Sequence, residues 1–355
     1  MRLNSKFKFT YNYIFILFLR LSSYSQNSQL QNFTTKEGLP QSQVHDIAQD
    51  SIGYLWLATQ GGGLARFDGN DFQVFSEKKG LQSNFVNSLL VKNDSLFIGT
   101  FTGLSIYTKG KFINFECPKI NKIVAIDNTT YLATETGLFI YKNDTVSPLE
   151  TVSGIDPNAI NDVVKDKDQY LIASKNGLWV LDQLDNPNTS YKYNDVEYTH
   201  FLKETHQILG ATKDNGIKII EDGKYGSVKN SILKNLKEIH HISLINGNYW
   251  VSTNNNGIII IDQRFKILRT INQENGLAVN QIKSILKDKQ ENIWIATSGG
   301  GLYKLTQNNF QHYDKNAGLK ANRIYAVHEV DNEIWISNAE KGVVKINSLR
   351  IEPVF

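Results

Sequence analysis

The chain has 355 residues, of which 41% are hydrophobic and 11% aromatic, with 6 prolines; this is globular composition and excludes a disordered or collagen-like chain. Its formal charge of +3 is misleading: taking Arg2, Lys6, Lys8 and Arg20 of the first 25 residues from the 38 Lys and Arg leaves 34 basic against 35 acidic side chains, a net −1 with no basic stripe, which argues against nucleic acid as a partner. A single cysteine, Cys117, excludes an internal disulfide and a thiolate metal cluster, and a half-buried, inert thiol is the simple expectation for it.

Residues 1–25 read as an export signal. Arg2, Lys6 and Lys8 precede the short apolar run Ile14 to Leu21, and Ser23-Tyr24-Ser25 offers small residues before Gln26. The run is far short of the ~20 residues that span a bilayer, and Arg20 interrupts it. An uncleaved anchor and a non-functional leader are the alternatives. No second apolar stretch follows.

Leu30 to Thr34 then reads as a lone strand ahead of a repeat. The first full copy is Leu55-Trp56-Leu57-Ala58-Thr59, a short polar loop, then Gly63-Leu64. A polar anchor recurs at Thr59, Thr100, Thr134, Ser174, Thr212, Thr253, Thr297 and Asn338, with spacings of 41, 34, 40, 38, 41, 44 and 41. Ala58, Gly99, Ala133, Ala173, Ala211, Ser252, Ala296 and Ser337 precede the anchors, all small. Three positions before each anchor stand Trp56, Phe97, Tyr131, Leu171, Leu209, Trp250, Trp294 and Trp335, six of the eight aromatic. After the loop comes glycine in every copy: Gly63, Gly103, Gly137, Gly177, Gly216, Gly257, Gly301 and Gly342.

Each copy also reads as four short strands. An apolar stretch such as Val44-x-x-Ile47 or Ile282-x-x-Ile285 leads, and the aromatic strand follows. After the glycine turn comes a third strand such as Leu64 to Phe67, and then a fourth, as in Asp71 to Phe75 and Asn309 to Tyr313. Four strands per ~40 residues is the length of a propeller blade, whereas a leucine-rich solenoid repeats every ~20–29 residues. The expected fold is therefore all-β, a β-propeller over 26–355 with units around 30–75, 76–115, 116–150, 151–193, 194–228, 229–271, 272–313 and 314–355. The aromatic column should fill the wedge between blades, and the small column should relieve crowding near the axis. Two closures stand open. Either eight blades close, with Leu30 to Thr34 pairing with the last unit, or seven close and the eighth begins a second ring.

Residues capable of chemistry are few. Of the seven histidines, His45, His200, His206, His240, His241, His312 and His328, only His240 and His241 are adjacent. Strand neighbours point to opposite faces, so they are not expected to share a metal. Gly61-Gly62-Gly63 and Gly299-Gly300-Gly301 lack the Lys-Ser/Thr and helix of a phosphate loop and read as turns. Asp50, Asp166 and Asp288 recur at equivalent places and read as turn formers. Trp179, Tyr191, Tyr193 and Tyr198 fall in or beside the most irregular unit. Core or blade-edge packing is the simpler reading for them and a sugar-stacking platform the sharper one. No catalytic, cofactor-binding or metal-ligating residue is singled out, no cofactor is expected, and the ligand-binding residues are left unknown.

The stretch from Glu37-Gly38-Leu39-Pro40 through Val44 to Thr59 and on to Asp68-Gly69, and its partner from Asn275-Gly276-Leu277 to Leu305, resemble the two-component regulator propeller repeats of Bacteroidetes-type sensor kinases and hybrid two-component systems. The likeness runs over roughly 30–355. It implies a non-catalytic periplasmic or secreted input region that binds a ligand, often glycan-derived, or relays the state of a histidine kinase or other signalling partner. A membrane connection would come only through a downstream region. No kinase or receiver segment is found in the sequence, so the chain is expected to be a stand-alone propeller or the front fragment of a longer sensor. The core motif also looks like that of antibiotic-inactivating propeller lyases. A secreted lyase or hydrolase, with a non-repeated His and acid at the channel mouth, is the alternative; a plain extracellular scaffold is a third reading.

Overall fold

The structure, a computed structural model, describes residues 29–149, then 159–306 apart from 186, 188 and 222, and from the last part of the chain 319, 321, 323–330, 333–338, 342–347 and 350–354. The export signal expected at 1–25 lies outside the described residues. The described chain falls into two compact units, one being Gln29–Thr306 and the other lying in Gln307–Phe355.

Seven four-stranded antiparallel sheets make up Gln29–Thr306. Blade 1 is Val44–Gln49, Leu55–Thr59, Gly63–Phe67 and Phe72–Phe75. Blades 2 to 6 begin with the innermost strands Val86–Lys92, Ile120–Ile126, Ile160–Asp166, Tyr198–Lys203 and Ile239–Ile245, and each adds its next three strands in order. Blade 7 has Ile282–Lys287, Ile293–Thr297 and Leu302–Thr306, and takes Gln29–Phe33 as its outer strand. Neighbouring innermost strands are in contact around a full cycle, with blade 7 returning to blade 1.

Closure therefore differs from the pairing with the last unit. Gln29–Phe33 pairs with Leu302–Thr306, Phe33 opposite Leu302 and Gln29 opposite Thr306. The pairing covers the open edge of Leu302–Thr306 and completes the four-stranded sheet. The Phe33 ring fixes the join, lying 5.1 Å from Phe67 of blade 1 and 5.8 Å from Trp294 of blade 7. Residues 309–313, expected as that unit's outer strand, lie outside the described residues.

The repeated columns have distinct jobs. Trp56 and Ala58 share one face of their strand and pack on Val86 and Leu89 of blade 2; Trp294 and Ala296 pack likewise on Val44 and Ile47 of blade 1. Burying such a ring contributes a few kcal/mol. The small column makes room for the next blade: a Cβ on Gly99 would stand 2.7 Å from Cγ2 of Ile120. All seven anchors in this unit donate their hydroxyl to the carbonyl of the column glycine, from 2.6 Å at Thr59 to 2.9 Å at Thr253. Glycine is needed there because the backbone has positive φ and, at every place but Gly137, is crowded. At Gly177, φ is +137° and a Cβ would lie 2.0 Å from the Asn194 carbonyl.

Asp50 and Asp288 form turns as expected. Asp50 Oδ1 accepts from the amides of Gly53 and Tyr54, and its Oδ2 accepts from Trp56 Nε1 at 2.8 Å. Asp288 does the same for Gln290, Asn292 and, at 2.7 Å, Trp294 Nε1. Asp166 differs, because its hairpin closes directly on Gln169 through Lys167 at φ +52°.

The smaller unit holds a sheet of Ile324–Val330, Glu333–Asn338, Gly342–Asn347 and Arg350–Pro353. Its core is Leu319, Ile336, Val344 and Ile346.

Candidate functional site

Every innermost strand of the ring carries the same irregularity. Register shifts between its first and third residues, at Val44/Asp46, Val86/Ser88, Ile120/Lys122, Ile160/Asp162, Tyr198/His200, Ile239/His241 and Ile282/Ser284. Such a bulge inserts one extra residue and re-aims the side chains beside it. The second residues, His45, Asn87, Asn121, Asn161, Thr199, His240 and Lys283, form one ring around a cavity of about 350 Å³ at the axis. Of the third residues, Asp46, Ser88, Lys122, His200, His241 and Ser284 line the same cavity, and Asp162 is bonded to His200. The bulge overturns the alternation argument for His240 and His241: both line the cavity. Among the described residues no group of three His, Cys, Asp or Glu is placed to hold a metal ion.

The innermost strand is an edge, so its inward N–H and C=O groups need partners other than a ladder. The two rings supply them from the neighbouring blade. Asn87, Asn121, Asn161 and Thr199 each donate to the first carbonyl of the next blade, at Ile120 (3.1 Å), Ile160 (3.0 Å), Tyr198 (2.8 Å) and Ile239 (2.5 Å). In the second ring Asp46, Ser88 and Asp162 accept from the next blade's amides of Leu89 (2.9 Å), Ile123 (3.0 Å) and Phe201 (2.9 Å). Asp46 also accepts from the Ser284 hydroxyl at 3.0 Å and so ties blade 7 to blade 1.

Burial sets the charge state of the histidines. Desolvation holds His45 below its usual value, with the Lys283 ammonium adding to the effect. Burial and Lys283 likewise push His240 down to about 4. Burial, His200 and Lys122 hold His241 far below the usual range. Burial and Lys122 hold His200 below its usual value, and its Nδ1 meets Asp162 Oδ2 at 2.9 Å. Burial alone would raise the Asp162 carboxyl, but the His200 hydrogen bond and nearby Lys122 outweigh it. His200 and His241 lie against each other with ring planes tilted by 33° and centroids 4.4 Å apart, while His241 Nδ1 meets the Ser243 hydroxyl at 3.0 Å.

Other sequence-marked residues are not gathered at this site. His206 and His328 are exposed, and His312 lies outside the described residues. Tyr198 is buried, and Trp179 packs against the blade 3–4 core. Tyr193 stacks on Tyr225 at 3.8 Å, and Tyr191 is exposed, so these four aromatics form no common platform. Cys117 is half-buried, its thiol pushed up to about 11 by burial.

The Gly-Leu turns that precede blades 1 and 7 carry the family signal. Leu39 and Leu277 are buried plugs behind left-handed Gly38 and positive-φ Gly276, and residues 38–61 and 276–299 match the family model described as two component regulator propeller. Two segments of the chain thus match the two-component regulator propeller repeat. A stretch of 67 residues is 43% identical to the Formosa agariphila protein named histidine kinase P4, covering 18% of this chain and 5% of that protein. Among solved structures, the extracellular domain described as that of a hybrid two component system from B. thetaiotaomicron superposes with TM-score 0.67 at 18% identity, over 92% of this chain and 55% of that one. A streptogramin B lyase superposes with TM-score 0.61 at 14% identity, over 78% of this chain and 97% of its own. At these identities the superpositions show the propeller fold alone. The chain spans about half the length of the two-component structure and a small part of the histidine kinase. The two matched repeats lie on blades 1 and 7, the pair joined by the N-terminal strand.

Proposed function

We propose that this ring is the input region of a two-component signalling system, located in the periplasm or outside the cell, which holds a ligand or partner at its axis and performs no catalysis. One observation carries the reading. Seven identical bulges present different polar side chains to one cavity, each tied to the next blade. Repetition fixes the frame, and variation at its one inward-facing place writes a binding surface. A ligand there would touch several blades at once, as an input region coupled to a partner requires. Thermal denaturation against small acids, sugars and oligosaccharides tests it, with the cavity-filling Asn121→Trp as control. A hit should raise the melting temperature of the native chain and not of the variant. Absence of any stabilising ligand, together with no partner captured from periplasmic extract, would sink the reading.

A second reading has an observation of its own: the Asp162–His200 pair at the cavity has the spacing of a base and its orienting acid. The sensor reading is preferred because Asp162 makes the same contacts as Asp46, accepting from the following residue and from the next blade. That is a repeated structural task. Loss of turnover of a lactone or glycoside substrate in His200→Gln would favour the enzyme.

A further inference from the structure

We propose that the axial cavity takes a small anion, a ligand bearing a carboxylate or sulfate, held between Lys122 and Lys283. The inference rests on the axis being the ligand site. Charge accounting around the cavity leads to it. Lys119 is paired with Glu135 at 2.7 Å, and Glu197 with Lys213 at 3.2 Å. Asp46 is saturated by the Ile47 and Leu89 amides and the Ser284 hydroxyl. Asp162 is engaged by two amides and His200. Neither of the other two ammoniums is in ion-pair contact with a carboxylate: Lys122 acts on Asp162, and Glu238 on Lys283, only at longer range.

Lys122 makes no hydrogen bond or ion pair among the described residues, and Lys283 bonds only the neutral His240 ring, at 3.2 Å. Both are half-buried. A charge withdrawn from water without a partner is costly, and proteins ordinarily pair it. Their ammonium N–H donors, not met by a carboxylate in contact, are what an anionic ligand would engage. The two lysines come from blades 3 and 7 and from different rings of the cavity, so a ligand reaching both sits on the axis and not against one blade.

The surroundings specify more than charge. Asn121 and Asn161 spend amide N–H on carbonyls of the next blade, which leaves their Oδ1 atoms to accept from ligand hydroxyls. A volume near 350 Å³ suits a small molecule and not a folded partner. A hydroxylated acid such as a sugar acid meets all of these features.

Calorimetry on the full chain, with glucuronate, inorganic sulfate and glucose as probes, tests the proposal. Glucuronate should bind, lose at least about tenfold in affinity in Lys122→Met and in Lys283→Met, and weaken with added salt as a charge-directed contact does. Both variants should keep the strand signature in circular dichroism and a single cooperative melt, which separates lost affinity from misfolding. Sulfate that displaces glucuronate would identify charge as the recognised feature; glucuronate binding without sulfate competition would identify the carboxylated ring. Unchanged glucuronate affinity in the double variant, or no anion binding at millimolar concentration, would overturn the proposal. Glucose binding as tightly as glucuronate, and lost on Asn121→Trp, would overturn the anion while leaving the axis as the ligand site. Glucuronate binding that survives Asn121→Trp would remove the axis reading itself.

Discussion

The anchor columns and the axial bulges occupy equally regular places and differ in what fills them. Across the seven blades the anchor is always Thr or Ser bonded to a glycine carbonyl. One strand away, the bulge positions run through His, Asn, Thr, Lys, Asp and Ser. Backbone conformation allows one solution at the first place and many at the second. Uniform positions thus build the frame, and the positions free to vary give this ring its chemistry.

Damage to the frame should cost most. Trp294→Ala removes a buried ring and the partner of Asp288, and should destabilise the ring by about 3–5 kcal/mol in denaturant unfolding. Trp294→Phe should lose only ~1 kcal/mol, the share of its Nε1 bond. Next come two glycines of one column. At Gly177 both the left-handed backbone and the Asn194 carbonyl oppose a side chain, whereas at Gly137, φ +125°, nothing lies within 4 Å of the new carbon. Gly177→Ala should therefore cost roughly 3 kcal/mol and Gly137→Ala nearer 1. Equal losses would show that conformation, not contact, selects glycine. Thr212→Val should cost about 1–2 kcal/mol, since it strands the Gly216 carbonyl and the Asn215 amide that its hydroxyl serves.

The axis should answer to pH before it answers to mutation. His45, His200, His240 and His241 are all held below their usual values, so the unfolded chain binds protons more readily than the fold. Stability is then full above the unfolded value of 6.5 and falls as pH drops towards about 4, the His240 value. Around His240 stand Lys283, Asn254, Glu238 and His45. Its replacement by Gln should flatten the decline of melting temperature over that window by the smallest margin of these tests. An unchanged slope would mean that Asp162, whose carboxyl is held low, carries the acid sensitivity.

The sequence displays the frame plainly because each column answers one local need. Thr59 and Gly63 form a turn, Trp56 a wedge and Ala58 a clearance, and all recur every ~40 residues. The cavity was half-written. Val44-x-x-Ile47 and Ile282-x-x-Ile285 space apolar residues three apart, whereas an unbroken strand spaces them by two. That step is the mark of the bulge, and polar residues fill it in all seven blades. Read by strict alternation, His240 and His241 part company; read with the extra residue, they meet. In the eighth unit the same place holds Tyr325 and Ala326, and the polar pair is missing. The join at blade 7 was harder to foresee, because any outer strand of this repeat resembles Leu30 to Phe33, and only distant pairing decides between them.

That join also orders events in time. The ring's first strand in chain order, Gln29–Phe33, finds its place only against Leu302–Thr306, the last strand of the ring to leave the ribosome. Until then blade 7 lacks a quarter of its sheet, and Trp294 lacks the Phe33 ring beside it. Contacts so far apart along a chain form slowly. The toroid is therefore locked in a single late step, and deletion of Gln29–Phe33 should leave a molecule whose blades fold but whose circle does not shut.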